Sequence, residues 1–529
     1  MTDLSKRSFL KGSAAAAAAF TFAGAAQARP AALPKKWDIT TDVAILGYGG
    51  AGACAAITAK DAGADVMIFE KCAQGGGNTA VSSGGMMIPN NEERAYAYLL
   101  KTYEFANSVK DEEQLKAFVA EAMKSKDFLM SLKPDQKLYI YGHAGFQSIP
   151  ESDAIDKWRF RSPKGSKVRG GDMLFNNYRY AVEDVRKVPV VYNARALELI
   201  TENDEVLGVW VEINGKKQAV KARRGVVLTT GGFEFDDAML ANHTMGQKFH
   251  RLGHPGNTGD GVRMAQAAGA DLWHMNALSC PLGLVVPGVK TQFQINMLAP
   301  SHFYVDQDGK RFANEKMDNH TCIYGVNYLD PIKHRYPRIP CYVIFDEEAR
   351  LRGPIIGGAT SGYALNREGY QWSRDNSAEI EKGVIVKADT IEELAKKINV
   401  PADNLVATVK RWNEQIAAGA DKDFGRPLEK KGKVAFEGRE APVVSRPLGA
   451  GPYYAAALYP TILNTQGGPR RNVKGQVLTP FNKPIPRLYS AGELGSMWGH
   501  IYQGATNNSE ACVFGRIAGR TAAAEKPWC

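Results

Sequence analysis

This sequence of 529 residues is short of the patterns that mark several protein classes. Its seven cysteines are widely spread, with no C-x-x-C pair and no C-x-x-C-H segment, so no disulfide framework, iron–sulfur centre, attached haem or other metal site is predicted. No Lys/Arg run is interleaved with aromatic residues, so nucleic-acid binding is not expected despite a formal charge of +10. Apolar residues make up 44% and charged residues 23%, which is typical of water-soluble globular proteins and predicts no stable membrane span.

Glycine, by contrast, is abundant, with 53 residues against 26 prolines. Since neither a collagen period nor a low-complexity tract is present, this glycine is expected in tight turns and in loops that cradle a ligand. Such a composition favours a nucleotide-binding protein. The length exceeds that of a single hydrophobic core, so two or three domains are expected.

The N-terminal 28 residues have the features of an export signal. A charged stretch is followed by the weakly apolar run Ala14–Phe22, and the sequence Ala26-Gln27-Ala28 has the small-x-small form of a cleavage site. Within it, Ser5–Lys11 (SKRSFLK) resembles the twin-arginine export signal, with Lys6 at the place of the first arginine. The sequence therefore predicts export by the Tat translocase to the periplasm or another extracytoplasmic compartment.

A strand-helix-strand unit follows. Asp42–Leu46 and Asp65–Phe69 are short apolar segments typical of buried strands, and the alanine-rich segment Ala51–Ala62 between them is predicted to be helical. The first strand leads into Gly47–Gly52 (GYGGAG), which has the G-x-G-x-x-G spacing, and Glu70 follows the second strand. Glycines let backbone amides approach a pyrophosphate at a helix N-terminus, and the acid accepts ribose hydroxyls. The predicted dinucleotide contacts here are Gly47, Gly49, Gly50, Gly52 and Glu70.

Later segments indicate that this domain is interrupted. Val206–Ile213 and Arg224–Thr230 are predicted to be strands, and glycines follow the second. From 273 to about 460 the pattern changes to mixed short elements with many aromatic residues, whereas Arg487–Ala491 is predicted to be another strand and Asn508–Arg520 a helix. The sequence therefore predicts a nucleotide-binding domain in two segments with a lid domain inserted between them.

Several further motifs, in order along the chain, resemble those of the fumarate reductase and ketosteroid dehydrogenase flavoprotein superfamily. The resemblance covers residues 38 to 523. It implies an α/β fold with a Rossmann-like FAD-binding domain in two segments and an inserted α+β clamp domain. The motifs are Gly75–Thr79 (GGGNT), Ser82–Gly85 (SSGG), His254–Gly261 (HPGNTGDG), Ala491–Glu493 (AGE) and Phe514–Gly519 (FGRIAG).

The resemblance also implies non-covalent FAD, because Lys71–Gln74 offers no counterpart of the histidine that carries covalent flavin. Its flavin N5 exchanges a hydride with carbon while the protein orients the substrate and manages a proton. The expected units are a signal (1–28), a linker (29–37), a first FAD-binding segment (38–275), the clamp (276–463) and a second FAD-binding segment (464–529). The further cofactor-binding residues that it implies are Lys71, Gly77, Asn78, Thr79, Gly84, Gly85, Gly231, Asp260, Gly492, Glu493 and Ser509.

The chain departs from true fumarate reductases at the substrate site. Those enzymes bind a dicarboxylate through histidine and arginine side chains. On the family spacing this chain has Cys280, Leu298, Asn464 and Tyr502 at those places. Fumarate is therefore disfavoured as the substrate.

The segment Gly499–Gly504 (GHIYQG) instead resembles the Tyr-x-Gly segment of ketosteroid dehydrogenases and related enone reductases. In that family a phenol and a nearby backbone amide hydrogen-bond a substrate carbonyl, and a phenol donates to a ketone or ester oxygen as negative charge develops there. An ordinary half-buried tyrosine remains the alternative for Tyr502. The candidate catalytic residues are Tyr502, Tyr324 and His500, and the candidate substrate-binding residues are Cys280, Asn464, Tyr363 and Gly504.

Together these features predict an exported FAD oxidoreductase that transfers a hydride between flavin and a carbon–carbon bond conjugated to a carbonyl. NADH is not available outside the cytoplasm, so export favours reduction with electrons from a separate cytochrome or quinol-linked partner. Dehydrogenation of a ketosteroid-like substrate is the alternative direction. Two further hypotheses are a flavin electron carrier without a substrate of its own and a soluble NADPH-dependent enzyme.

Overall fold

A computed structural model describes residues 33–105, 108–166, 168, 170–244, 249–297, 299–316, 320–356, 362–429, 435–436, 439–440 and 445–529. The predicted export signal and Leu298 lie outside the described residues. Within those ranges no helix has both the length and the apolar character needed to cross a bilayer.

The elements alternate between strands and helices near the start of the described chain and become shorter and more mixed in the middle. The strands are β1 (Ile39–Leu46), β2 (Val66–Phe69), β3 (Met86–Pro89), β4 (Leu138–His143), β5 (Ile155–Phe160), β6 (Val190–Val191), β7 (Ala194–Glu202), β8 (Glu205–Ile213), β9 (Lys216–Leu228), β10 (His250–Arg251), β11 (Leu272–Trp273), β12 (Leu278–Ser279), β13 (Leu282–Leu284), β14 (Phe293–Gln294), β15 (His302–Val305), β16 (Cys341–Asp346), β17 (Ile385–Ala388), β18 (Ala435–Phe436), β19 (Arg439–Glu440), β20 (Tyr453–Ile462), β21 (Asn464–Thr465), β22 (Gly468–Pro469), β23 (Gln476–Leu478) and β24 (Pro484–Ser490). The α-helices are α1 (Gly50–Asp61), α2 (Gly77–Val81), α3 (Glu92–Phe105), α4 (Glu112–Ala122), α5 (Ser125–Ser131), α6 (Gly170–Arg179), α7 (Asp237–His243), α8 (Asp260–Ala267), α9 (Ile323–Val326), α10 (Glu347–Leu351), α11 (Ser377–Glu381), α12 (Ile391–Lys397), α13 (Ala402–Ala417) and α14 (Thr506–Ala524).

The first sheet has eight strands. Six of them follow the order β23-β24-β9-β1-β2-β6, and in addition β8 pairs with β9 and β7 pairs with β8. The neighbours from β24 to β6 are parallel to one another. The apolar run Val43–Leu46 is fully buried, because a parallel strand is covered on both faces. The sheet joins the beginning and the end of the chain, as the two-segment prediction requires.

Helix α14 packs closely along α1. A Cβ at Gly515 would lie 2.7 Å from the carbonyl oxygen of Ala51, and one at Gly519 would lie 2.3 Å from that of Ala55. Only glycine permits this approach of the two backbones. The C-terminal helix therefore holds the glycine-rich turn at the start of α1 against the sheet.

The second sheet has seven strands and forms the inserted unit. The long strand β20 pairs with β10, β13, β16 and β17, and β14 and β15 extend the sheet on either side. Helices α12 and α13 cover it through an apolar cluster that includes Leu394, Leu405 and Trp412. A sheet with its own core agrees with an inserted clamp, although its boundaries at 276 and 463 stay a prediction.

A small antiparallel sheet, β3-β5-β4, stands apart from both larger sheets. It lies within residues 38–275, which the sequence analysis treated as one FAD-binding segment without a separate sheet. The antiparallel pair β11-β22 links the end of that segment to the start of the second one, and the pair β12-β21 links the start of the expected clamp to the same part of the second segment. The pair β12-β21 also brings Ser279 opposite Asn464.

Candidate active site

A cavity of about 360 Å³ lies at the carboxyl ends of the parallel strands. Its lining includes residues at or just after the ends of β1, β2, β9 and β24, together with residues from the clamp. In open α/β sheets this edge is where ligands bind. The cavity therefore joins the two regions in which the sequence predicts cofactor and substrate residues.

The glycine-rich turn forms one wall of the cavity. Gly47 has φ +102°, and a Cβ there would lie 2.6 Å from the carbonyl oxygen of Thr229. A Cβ at Gly52 would lie 2.1 Å from the carbonyl oxygen of Gly47. A Cβ at Gly49 would meet only the carbonyl oxygen of Gly76, at 3.7 Å. Gly47 and Gly52 are thus required by packing, whereas Gly49 leaves room within the cavity.

Glu70 lies at the end of β2 and lines the cavity. Its carboxylate accepts hydrogen bonds from the backbone amides of Tyr48, at 2.7 Å, and Cys72, at 2.8 Å. Two backbone donors hold both oxygens in place without a cation. The neighbouring Lys71 instead points to Asp260, with Nζ 2.9 Å from Oδ2, and Arg195 donates to the same carboxylate. The ammonium group of Lys71 is therefore paired with a carboxylate that it shares with Arg195.

Two buried glutamates meet beside this wall. The Asn78 amide nitrogen donates to Glu234, at 2.9 Å, and to Glu493, at 2.8 Å, and Asn257 donates to Glu234 at 2.7 Å. Burial raises the pKa of Glu234 to about 7, and burial together with the charge of Glu234 raises the pKa of Glu493 well above its usual range. Two buried carboxylates that repel each other in this way favour the protonated form of one of them.

We expect Glu234→Gln to remove a pH dependence of stability. A raised carboxyl pKa means that the folded protein binds the proton more tightly, so the free energy of unfolding falls as pH rises from about 4.5 to about 7. Glutamine imitates the protonated acid and removes the contribution of Glu234 to this fall, at most about 3 kcal/mol, whereas the contribution of Glu493 remains. Thermal unfolding of the cofactor-free protein across pH 5 to 8 measures it. The exposed Glu202→Gln is the control, and an unchanged pH profile in Glu234→Gln would contradict the raised pKa of Glu234.

Another part of the lining carries three of the candidate substrate-site residues. Tyr502, Asn464 and Gly504 all line it, and Tyr502 is only 6% exposed. His320 lines the cavity next to them, with its ring edge-on to that of Tyr502 and 4.9 Å between ring centroids. The side-chain oxygen of Asn464 is buried without a hydrogen-bond partner. This wall therefore presents a phenol, an imidazole and an amide to a ligand.

The other substrate-site candidates do not reach the described lining. Tyr324 and His500 hydrogen-bond to each other, with 2.8 Å between Oη and Nδ1, and Tyr324 is 47% exposed. Cys280 is fully buried, which raises the pKa of its thiol well above the usual range. Tyr363 packs edge-on against His254, with 5.1 Å between ring centroids. The roles predicted for these four side chains stay predictions.

Most of the predicted cofactor residues line the cavity, but four do not. Gly84 and Gly85 serve close packing, since a Cβ would lie 2.3 Å from Gly170 and 2.0 Å from the hydroxyl of Tyr141, respectively. The Ser509 hydroxyl accepts a hydrogen bond from the amide of Met87 and donates one to Ala505. The fourth is Gly52. Those on the lining are Gly47, Gly49, Gly50, Glu70, Lys71, Gly77, Asn78, Thr79, Gly231, Asp260, Gly492 and Glu493.

The lining that the structure describes contains no arginine. Its one described lysine, Lys71, is paired with Asp260. His254 also lines it, and burial lowers its pKa to about 4, so its imidazole is neutral at physiological pH. A dianionic ligand needs compensating cations when it leaves water. The described wall is therefore better suited to a neutral carbonyl group than to two carboxylates.

Sequence reasoning missed two of the residues that shape this site. His320 follows no motif, and its contact with Ser279 joins positions that are distant along the chain. Glu234 had a usable signal, because it follows glycines after β9 just as Glu493 follows glycine after the neighbouring parallel strand β24. Residues that directly follow neighbouring parallel strands lie at the same edge of the sheet.

Comparison with known proteins agrees with this geometry. A family model described as FAD binding domain matches residues 42–509. The 3-oxosteroid 1-dehydrogenase of Mycolicibacterium smegmatis is 27% identical, over 90% of this chain and 96% of its own length. The fumarate reductase (cytochrome) of Shewanella frigidimarina is 27% identical, over 94% of this chain and 79% of its own. The solved 3-ketosteroid delta1-dehydrogenase of Sterolibacterium denitrificans shares the fold, with a TM-score of 0.79, 24% identity, and 92% of this chain and 99% of that chain covered.

Proposed function

This chain belongs to the FAD binding domain family, whose model matches residues 42–509, and on that premise we propose that it is an exported reductase of carbon–carbon double bonds conjugated to a carbonyl. The family resemblance seen in the sequence is thereby confirmed. The chain is an FAD-dependent oxidoreductase of the ketosteroid dehydrogenase and fumarate reductase type that acts on carbon–carbon bonds. Direction, substrate, export and electron partner belong to the proposal.

The lining residues fit FAD. Gly49 leaves open space at the N-terminus of α1, where amides and the helix dipole favour a pyrophosphate, and Glu70 suits ribose hydroxyls. Asn78 and Glu493 would hold the ribityl chain. The side-chain nitrogen of Asn507, which also lines the cavity, is buried without a partner, as expected where a ligand supplies one. When bound, FAD supplies hydride chemistry at carbon.

The observation that carries the proposal is the placement of Tyr502 on a wall where the structure describes no arginine. A neutral phenol donates a hydrogen bond to a ketone or ester oxygen and stabilises the negative charge that develops there during addition to the conjugated double bond. Gly504, in the same segment, also lines the cavity. Asn464 offers an unpartnered amide oxygen to a donor on the substrate. The site thus orients an unsaturated carbonyl compound.

The electron supply follows from the proposed location. The proposed export signal would place the folded protein where nicotinamide cofactors are absent, so a separate cytochrome or a quinol-linked protein would reduce it. The relative from Shewanella frigidimarina is itself named a cytochrome fumarate reductase. The spread cysteines of this chain offer no haem-attachment motif, which agrees with an external partner.

Anaerobic reoxidation tests the function directly. The purified protein is reduced with dithionite and mixed with fumarate, urocanate, cinnamates, cinnamate esters and steroid enones while flavin absorbance is followed. We expect rapid reoxidation by at least one neutral enone or ester and little by fumarate. Reoxidation by fumarate alone would overturn the substrate class. Failure of every compound would favour an electron carrier, and rapid bleaching of the oxidised protein by NADPH would favour a nicotinamide-dependent enzyme.

A second candidate is oxidation of a 3-oxosteroid. The observation that favours it is the near full-length match to the mycobacterial dehydrogenase. Tyr502 would then stabilise the enolate that forms as the α-carbon loses a proton. Oxidised protein with an artificial electron acceptor and a saturated 3-oxosteroid distinguishes the directions, because only a dehydrogenase bleaches the acceptor faster than steroid-free protein.

A further inference from the structure

The imidazole of His320 lines the cavity and lies against the segment Gly499–Gly504, which we propose binds the substrate carbonyl. Its ring lies edge-on to that of Tyr502. A Cβ placed on Gly504 would lie 3.1 Å from Nε2 of His320, so this nitrogen is directed toward the segment that contains Tyr502 and Gly504. A carbonyl oxygen bound at Tyr502 would therefore place the α-carbon, which is bonded to the carbonyl carbon, near His320.

The imidazole is held from behind by two neighbouring residues. Nδ1 of His320 lies 2.9 Å from Oγ of Ser279, which is fully buried. The amide of Cys280 donates a hydrogen bond to the carbonyl oxygen of His320, at 3.1 Å. Backbone and ring are therefore both fixed to the end of β12. When Nδ1 donates its proton to the serine oxygen, Nε2, on the side of Gly504, can carry the second proton of the imidazolium and release it to leave a neutral ring.

The proposed reaction requires a proton donor here. Reduction adds a hydride at the β-carbon and a proton at the α-carbon, and imidazole transfers protons well near neutral pH. Tyr324 and His500, the donors that sequence reasoning suggested, instead bond to each other outside the described lining. His254 is neutral, and its Nδ1 already accepts the amide of Gly256.

We infer that His320, positioned by Ser279, gives the α-carbon its proton while Tyr502 holds the carbonyl oxygen. This inference rests on the proposed function. Bound FAD in its reduced form would supply the hydride, with its electron pair, to the β-carbon. The π pair of the substrate forms the new α-carbon–hydrogen bond with the proton that the imidazolium releases from Nε2, and the ring is left neutral. Solvent returns a proton to the imidazole. In the oxidative direction the same nitrogen removes the α-proton.

Three variants test the role. We expect His320→Ala to lower kcat by about 10²-fold, the scale of a lost general acid, with unchanged FAD content and little change in KM. Added imidazole should restore much of the lost rate. His320→Gln keeps the side-chain volume but transfers no proton, so it should be equally slow without rescue. Ser279→Ala should lower kcat about tenfold, because the ring loses its orientation. The exposed His334→Ala is the control.

The outcomes separate the inference from the proposed function. Enone binding is measured independently from the perturbation of flavin absorbance in the oxidised variants, and it should be unchanged. If the His320→Ala protein does not retain FAD, the rate of the His320→Gln protein tests the inference instead. A wild-type rate in either His320 variant, or a slow His320→Ala that imidazole leaves slow, overturns the role of His320 alone. Wild-type protein that no enone or enoate reoxidises overturns the proposed function and the inference with it.

Discussion

Gly49→Leu is expected to give a folded protein that no longer retains FAD. Gly49 has a negative φ of −96°, which leucine accepts, and its Cβ would meet only the carbonyl oxygen of Gly76. The side chain would therefore occupy the cavity at the N-terminus of α1, where backbone amides are expected to approach the pyrophosphate. We expect FAD affinity to fall by at least about 10²-fold, ~2.7 kcal/mol. The ratio of flavin to protein absorbance, followed by titration of cofactor-free protein with FAD, measures the loss.

Two glycine variants separate cofactor loss from misfolding. A Cβ at Gly52 would lie 2.1 Å from the carbonyl oxygen of Gly47, so Gly52→Ala should lower the thermal stability of the cofactor-free protein itself. A Cβ at Gly142 would have no atom within 4 Å, so Gly142→Ala should change neither stability nor FAD content. Gly49→Leu protein that purifies with full FAD content would show that the cofactor does not use this turn.

The cofactor half of the molecule could be predicted because its signals are local. The strand, turn and helix around Gly47–Gly52 lie within one short segment, and the structure places β1, α1 and β2 there with ends shifted by no more than three residues. Glycines in such a turn are dictated by backbone contacts, which spacing reveals directly. The second segment could be placed as well, since Arg487–Ala491 has the pattern of a parallel strand and ends in Gly492-Glu493. Parallel strands next to each other then bring Glu234 and Glu493 together.

The substrate half was less accessible to sequence reasoning, because its contacts join distant segments. Tyr502 was found through a motif, but its neighbour His320 depends on the pairing of β12 with β21 and on the return of the chain before α9. No periodicity places a histidine beside a serine across such a distance. Sequence reasoning chose Tyr324 as an aromatic residue of the clamp and His500 from its place beside Tyr502, and the structure pairs them with each other. The lid could be recognised by its change of pattern, whereas the seven-stranded sheet around β20 could not be derived from its short strands.

Tyr502→Phe is expected to lower kcat by about 10²-fold, ~2.7 kcal/mol, which is the scale of removing one donor that stabilises developing charge. Phenylalanine keeps the ring that packs against His320, so the cavity wall and the FAD content should not change. Loss of the donor weakens the transition state more than the bound ground state, because negative charge on the carbonyl oxygen is greatest there. The effect should therefore appear mainly in kcat. Single-turnover reoxidation of the reduced variant by the best enone of the panel measures it.

The control and the substrate dependence sharpen this test. Tyr96→Phe removes a hydroxyl that bonds to Glu112 outside the cavity lining, and it should turn over at the wild-type rate. A more electrophilic enone should lose less rate in Tyr502→Phe than a less activated ester, because it depends less on the phenol for charge stabilisation. An unaltered rate for every substrate would remove Tyr502 from the mechanism. The assignment of His320 to the α-carbon assumes that the carbonyl oxygen binds at Tyr502. That result would therefore also remove the reason for assigning His320 to the α-carbon.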